Sequence, residues 1–207
     1  LFEKDKKYFY LKNGIFIESL NINNINNAPS YASKTDDNFP LFKNNGKWGA
    51  KNNNGDIIVK SSYTYGYGYN EGVGCFASKA KKFYFFNTSG KTISSSFYVP
   101  ESGVGAFRIQ DGITLVSDGK RNLIMKSSGS IVETPNDYTV LGCSDGMILL
   151  EKDGKRGFMD QNGLWIYNPD FLYADFFSEG LSVVSLNGIS VIDRNGNTVI
   201  PKGFDFI

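Results

Sequence analysis

The sequence predicts an all-β fold of six tandem repeats, each an antiparallel β-meander of about 34 residues. A short turn that ends in glycine recurs along the chain. The 207 residues include 23 glycines and are 15% aromatic, which is typical of short strands joined by glycine turns. No segment has the apolar spacing of an amphipathic helix. Closure into a propeller is favoured over an open β-solenoid of stacked hairpins, because a closed array exposes fewer strand edges.

The recurring turn predicts one β-hairpin in each repeat. It follows an apolar or aromatic segment and precedes a second short strand. Asn or Asp opens four of the six turns, where its side chain can bond backbone two residues further on, and the closing glycine supplies the positive φ. We call these closing residues the anchor glycines; they are Gly14, Gly55, Gly90, Gly129, Gly163 and Gly196.

A second glycine, always preceded by Glu or Asp, marks a further strand in four repeats. It follows the anchor glycine by 17 residues in three of them and by 22 in the repeat that starts at Gly90, which indicates a five-residue insertion there. The long first period predicts another insertion, at residues 20–40. Residues 1–207 are therefore expected to form a single repeat domain. The second glycines are Gly72, Gly112, Gly146 and Gly180.

Two segments resemble the bacterial WG-repeat (KWG-repeat) proteins. They are "GKWGAKNNNGDIIV" and "FSEGLSVVSLNGISVIDRNGNTVIPKGFDF", and the first keeps the signature at Lys47, Trp48 and Gly49. The resemblance implies a repeat fold and an interaction role, not a particular reaction. Because Trp48 occupies the signature position, it is expected to belong to the core.

The stretch "SSYTYGYGYNEG" at residues 61–72 has tyrosine at every second position, which in one extended strand would put all four rings on one face. Three of them fall on positions that are aromatic in other repeats, as Tyr63 falls on Tyr98, and are predicted to be core. Tyr67 falls on Asp175 and is predicted to contact a ligand or partner. The three predicted core residues are Tyr63, Tyr65 and Tyr69.

The chain has no histidine, which excludes Ser-His-Asp and Cys-His catalysis and histidine-based metal sites. The two cysteines, Cys75 and Cys143, are predicted to be separate buried thiols. The acids before the second glycines recur with the repeat and are predicted to be turn residues. The segment at residues 193–197 has its glycine too early for a calcium loop. We therefore predict no catalytic residues, no metal and no cofactor.

The charge balance and the apolar pattern exclude two classes of partner. With 22 basic and 21 acidic residues the formal charge is +1, which does not favour nucleic acid as a binding partner. No run approaches the roughly 18 apolar residues of a membrane helix, so no membrane insertion is expected. The chain starts at Leu1 rather than at a methionine, so the lack of a signal peptide says little about the location of the protein. A secreted or cell-envelope location is favoured over the cytoplasm.

These observations predict a non-catalytic binding module for a protein or a glycan, at the bacterial cell envelope. One alternative is a glycoside hydrolase-like enzyme, with carboxylates from different repeats meeting at one face. Another is an inhibitor or immunity-type protein that binds a toxin. The predicted contact residues are Tyr67, Tyr31, Asp36 and Asp37.

Overall fold

A computed structural model describes residues 2–4, 7–12, 15–19, 38–98, 100 and 104–204, with side chains for 38–98, 100 and 104–200. Every regular element in these ranges is a β-strand, so the predicted all-β class is confirmed. The chain divides into two compact units, Leu1–Lys34 with Asp205–Ile207, and Thr35–Phe204. Most of the predicted insertion at residues 20–40, and the anchor turn at Gly14, lie outside the described residues. The six-repeat propeller over residues 1–207 stays a prediction.

The first unit contains one antiparallel sheet in the order β1-β2-β3. The second and third strands are antiparallel and pair Tyr8 with Ser19 and Lys12 with Ile15. The strands are β1 (Phe2–Lys4), β2 (Lys7–Lys12) and β3 (Ile15–Ser19).

The second unit contains four further antiparallel sheets, in which strands that are consecutive in sequence are neighbours. Their orders are β4-β5-β6, β7 to β12, β13 to β16 and β17 to β20. Such meanders are what the repeated hairpins predict. The strands are β4 (Leu41–Asn44), β5 (Lys47–Lys51), β6 (Ile57–Tyr63), β7 (Tyr65–Asn70), β8 (Val73–Ala77), β9 (Lys82–Phe86), β10 (Phe97–Tyr98), β11 (Ile113–Ser117), β12 (Asn122–Lys126), β13 (Thr139–Ser144), β14 (Met147–Lys152), β15 (Lys155–Asp160), β16 (Trp165–Phe171), β17 (Tyr173–Ala174), β18 (Leu181–Ser185), β19 (Ile189–Asp193) and β20 (Thr198–Phe204).

The anchor turns have the predicted chemistry. The Oδ1 of Asn52 accepts hydrogen bonds from the backbone N–H groups of Asn54 and Asp56 at 3.0 and 2.9 Å. Asn87, Asp160 and Asp193 make the same pair of bonds. These side chains satisfy turn amides that the hairpin ladder leaves unpaired. The φ angles of the described anchor glycines are 86° at Gly55, 78° at Gly90, 90° at Gly129, 85° at Gly163 and 92° at Gly196.

The glycine of the WG signature lies at a β-bulge. β5 and β6 pair Trp48 with Tyr63 and Ala50 with Val59, so the extra residues of the bulge are on β6, opposite Gly49. A Cβ at Gly49 would overlap the backbone oxygen of Val59. The register between β15 and β16 shifts in the same way around Gly157, so Gly157 is the structural counterpart of Gly49.

The hydrophobic cores lie between consecutive repeats. β11 is buried along its whole length. On one face Leu115 packs in a cluster with Cys143 of the following repeat, and on the other Val116 packs in a cluster with Cys75 of the preceding repeat. Each repeat therefore depends on its neighbours for the burial of both sheet faces.

Replacement of Gly90 by alanine should destabilise the protein more than the same replacement of Gly55. Both substitutions place alanine at a positive φ, which costs about 1–2 kcal/mol. A Cβ at Gly90 would also overlap the carbonyl oxygen of Ile58 in the preceding repeat, whereas at Gly55 nothing lies within 4 Å. We expect roughly 1–3 kcal/mol of additional loss for Gly90→Ala, measured by chemical denaturation. Equal losses for the two variants would contradict this contact between repeats.

Candidate functional site

The four tyrosines of residues 61–72 do not lie on one face, so that prediction is wrong. β6 ends at Tyr63 and pairs with β5, whereas β7 begins at Tyr65 and pairs with β8 in another sheet. Within β7, Gly66 pairs with Phe76 and Gly68 with Cys75, so the residue between them is bulged out. A change of sheet and a β-bulge therefore interrupt the alternation.

Two of the three predicted core tyrosines are confirmed. Tyr63 is partly buried and its ring centroid lies 5.4 Å from that of Phe76. Tyr69 is completely buried, and its hydroxyl donates to the backbone oxygen of Asn87 at 3.0 Å. The third prediction is wrong, because Tyr65 is 55% exposed.

Tyr67 occupies the bulged position and packs against a residue of the next repeat. Its ring stacks on that of Phe107, with centroids 4.8 Å apart and planes 27° apart. Tyr67 and Phe107 each lie five residues before a second glycine, so they are equivalent. They remain 37% and 36% exposed. Burial is the main cause that raises the pKa of Tyr67. The other predicted contact residues, Tyr31, Asp36 and Asp37, lie outside the described residues.

Trp48 is partly buried, as expected, and packs against the cluster that contains Ala50 and Val59. The ammonium of Lys43 lies 5.2 Å from the centroid of its ring. The tryptophan thus covers the edge of a core, and its outer face is occupied by a cation.

The acidic residues before the second glycines link one repeat to the next. They have positive φ, as a two-residue type I′ hairpin turn requires. Both carboxylate oxygens of Glu71 accept backbone N–H bonds, from Asp111 and from Gly112, at 2.8 Å each. The carboxylate of Asp145 accepts from the N–H of Gly180 at 2.7 Å and pairs with Arg194 at 2.8 Å. These turn acids thus bind the corresponding turn of the following repeat.

Asp111 lies in a cavity of about 410 Å³ beside these bonds. Burial raises the pKa of the Asp111 carboxyl, Arg194 opposes this shift, and the negative charges of Asp145 and Glu71 add to it. The hydrolase alternative requires an acid and a base of different environment at one place. The neighbouring carboxylates of Glu71 and Asp145 already accept hydrogen bonds from turn amides, which gives both a structural role.

A groove of about 860 Å³ lies where β10, the β11–β12 turn and the start of β13 meet. We call it the polar groove. Tyr98 and Tyr138 supply its aromatic surface, and most of the remaining lining is polar. Its lining residues are Tyr98, Ser117, Asp118, Gly119, Lys120, Arg121, Asn122, Asn136, Tyr138, Thr139 and Val140.

The two tyrosines of the polar groove are positioned by different neighbours. Tyr98 is 45% exposed and has the ammonium of Lys82 5.0 Å from its ring centroid. A Cβ at Gly119 would lie 3.0 Å from the Tyr98 ring, so glycine allows the turn to approach the ring. Tyr138 packs against Trp165 with centroids 5.4 Å apart.

Hydrogen bonds fix the polar lining. The Arg121 guanidinium donates to the Asn136 Oδ1 at 2.6 Å. The Oδ1 of Asp118 accepts from the backbone N–H groups of Lys120 and Arg121 at 2.8 and 2.9 Å, which lowers the pKa of this carboxyl. The amide of Asn122 donates to the backbone oxygen of Val140 at 3.1 Å and so ties β12 to β13.

The sequence reasoning missed this groove. Tyr98 is the repeat equivalent of Tyr63 and was expected to be core, but only two residues of its segment form a strand. No local sequence pattern indicates the groove, because its lining residues come from two repeats. Tyr67 is not among the groove's lining residues.

The cysteines are free and buried, as predicted, and burial raises the pKa of both thiols. A raised pKa keeps the thiols protonated at neutral pH. Among the described residues, no group of three or more Cys, Asp or Glu side chains is arranged to hold a metal ion. The described ranges also contain no helix of the length and apolarity needed to cross a membrane.

The described residues are thus all-β, and the antiparallel sheets of the second unit pack through shared cores. The family model for the WG containing repeat matches residues 157–188 and 189–207, about a quarter of the chain, and confirms the WG-repeat resemblance there. Among curated proteins no relative matches the sequence.

Solved structures similar to this chain include three proteins. The computationally designed Ika8 protein matches with a TM-score of 0.40 and 14% identity, over 78% of this chain and 57% of its own. KlHsv2 with loop 6CD replaced by a Gly-Ser linker matches with a TM-score of 0.35 and 18% identity, over 64% of this chain and 47% of its own. The WD40 beta propeller domain of Doa1 matches with a TM-score of 0.33 and 16% identity, over 79% of this chain and 64% of its own. The chain thus spans about half to two thirds of the length of these structures. Similarity at this level does not decide between a propeller and an open stack.

Replacement of Glu71 by glutamine should destabilise the protein by about 1 kcal/mol, because an amide oxygen cannot accept both turn N–H bonds as the carboxylate does. The free energy of unfolding, measured by denaturant titration, checks this. Glu133→Gln is the control, since no hydrogen bond of that carboxylate is found within the described ranges, and it should change stability little. Equal effects of both variants would contradict the link between repeats.

Replacement of Asp111 by asparagine should raise the melting temperature at pH 7. Because the folded-state pKa lies above the unfolded value of 3.8, ionisation of Asp111 disfavours the folded state as pH rises through this range. The gain should shrink towards about pH 3, where the carboxyl is protonated in both states. Asp153→Asn is the control, because Asp153 has the same positive φ in another two-residue turn. A gain independent of pH, or one matched by Asp153→Asn, would contradict the electrostatic cause.

Proposed function

We propose that this protein is a non-catalytic binding module that recognises a glycan through the polar groove. The groove carries this proposal because it combines two tyrosine rings with hydroxyl, amide and cationic groups in one large concave surface. Sites for small polar ligands are typically concave, with aromatic surface and a few placed polar groups. A partner of this class fits the envelope location expected from the sequence.

The aromatic residues of the groove suit the amphipathic faces of a sugar. A tyrosine ring offers an apolar surface and a polar tip at low entropic cost, since it has few rotatable bonds. Tyr98 is exposed, and Tyr138 is held against Trp165. A sugar ring could pack its C–H face on a tyrosine while its hydroxyls bond Asn136 and Thr139.

A protein partner receives less support from this groove. β10 pairs with β9 on one side and with β11 on the other, so Tyr98 lies on a strand without a free edge for an added peptide strand. The stacked pair of Tyr67 and Phe107 is the second candidate contact surface, as the repeat comparison proposed for Tyr67. It is smaller and has fewer polar groups than the groove.

The hydrolase alternative also receives less support. The carboxylates of Glu71 and Asp145 accept backbone hydrogen bonds from neighbouring turns, and that use explains their position without catalysis. Asp118, the one acid of the polar groove, likewise accepts two turn amides. We therefore propose recognition without bond cleavage.

Replacement of Tyr98 by alanine should weaken glycan binding by about tenfold or more, since buried aromatic anchors dominate binding energies. The measurement is a glycan array followed by titration calorimetry on the bound sugars. Tyr173→Ala is the matched control, because Tyr173 is 39% exposed and also lies near a cation, Arg156, but outside the groove. Tyr67→Ala, with a parallel protein pull-down, tests the second surface. Binding lost only in Tyr67→Ala would move the site there, and capture of a protein without any glycan would overturn the glycan partner.

A further inference from the structure

Cationic groups gather around the polar groove although the chain as a whole is nearly neutral. Lys120 and Arg121 line it directly. Lys82 lies over Tyr98, and Lys152 lies over Tyr138 at 5.1 Å from the ring centroid. Each of the two groove tyrosines therefore has an ammonium group over its ring.

The acidic groups beside the groove are occupied by partners of their own. Asp118 accepts hydrogen bonds from the backbone N–H groups of Lys120 and Arg121. Asp137 forms an ion pair with Lys152. The charges of Lys152 and Asp137 therefore balance each other, which leaves Lys82, Lys120 and Arg121 against Asp118 among these described residues. The surplus of positive charge favours an anionic ligand.

Arg121 is the cation best suited to direct recognition. Its guanidinium is planar and carries five N–H donors in a fixed fork. Within the described chain, one side-chain hydrogen bond of Arg121 is found, from Nη1 to the Asn136 Oδ1. That bond orients the group and leaves further donors for a carboxylate or sulfate oxygen.

We propose that the polar groove selects an acidic saccharide, in which Arg121 and Lys120 bind the anionic group while Tyr98 and Tyr138 contact the sugar rings. This inference rests on the proposed function and adds the charge of the ligand to it. An acidic peptide would meet the same cations, but Val140 is the single aliphatic residue of the lining, and Tyr98 lies on a strand paired on both sides. The saccharide uses the hydroxyl, amide and ring groups that a peptide would leave unused.

The test compares acidic glycans with their neutral parents on the intact protein. The probes are uronic-acid, sialylated and sulfated oligosaccharides, each beside the same chain without its acidic group, and acidic peptides form a separate arm. The variants are Arg121→Gln, Arg121→Lys and Lys120→Gln. Lys91→Gln is the control, since it removes one positive charge from an exposed lysine outside the groove. Thermal melting of each variant verifies folding.

The proposal expects acidic members to bind at least about tenfold more tightly than their neutral parents, and to weaken with added salt. Arg121→Gln should abolish this preference, because it should lower the affinity for the acidic member far more than the affinity for its neutral parent. Arg121→Lys should retain part of the preference for acidic glycans, because lysine keeps the positive charge but lacks the planar set of N–H donors of the guanidinium. Lys120→Gln should reduce it, and Lys91→Gln should have no effect.

Each other result has a defined meaning. Equal or tighter binding of the neutral parents would overturn the acidic ligand and leave the glycan-binding function standing. An acidic preference that survives in both Arg121→Gln and Lys120→Gln would overturn the assigned residues. Binding of acidic peptides alone would overturn the saccharide, and absence of binding to every probe would overturn the proposed function itself.

Discussion

The close approach of the anchor glycines Gly90 and Gly129 to the preceding repeat is the constraint on which the packing of the central repeats depends. A Cβ at Gly90 would overlap the backbone oxygen of Ile58, and one at Gly129 would overlap that of Ile93. Ile58 and Ile93 each follow the previous anchor glycine by three residues. Glycine is thus required at these two positions for two reasons: the backbone has a positive φ, and a side chain would overlap the preceding repeat.

This contact brings neighbouring sheets close enough to share cores. Strands such as β11 are buried on both faces, so a single repeat could not bury its apolar surface alone. The turn carboxylates add directional bonds across the same junctions, as Glu71 does to the turn of the next repeat. Packing sets the distance between repeats, and these bonds fix their register.

Features that depend on local chemistry could be predicted from the sequence. The anchor turns follow from Asx side chains and glycine, which act within a few residues of each other. The orientation of Tyr65 could not be predicted, because it depends on which sheet each half of the tyrosine stretch joins. The polar groove was equally out of reach, since Tyr98 and Asn136 belong to different repeats and meet only in the folded chain.

One repeat position shows how far equivalent residues differ in their surroundings. Tyr67, Phe107, Leu141 and Asp175 are equivalent in sequence, yet the first two stack as exposed rings, Leu141 packs against a core and Asp175 is a carboxylate. Tyr98 departs in the same way from the buried role of Tyr63. Because the anchor turns keep the backbone constant, such substitutions alter the surface without altering the fold. The proposed recognition surface therefore uses a position at which the repeats differ, since Tyr98 and Tyr63 are equivalent but Tyr98 lines the polar groove.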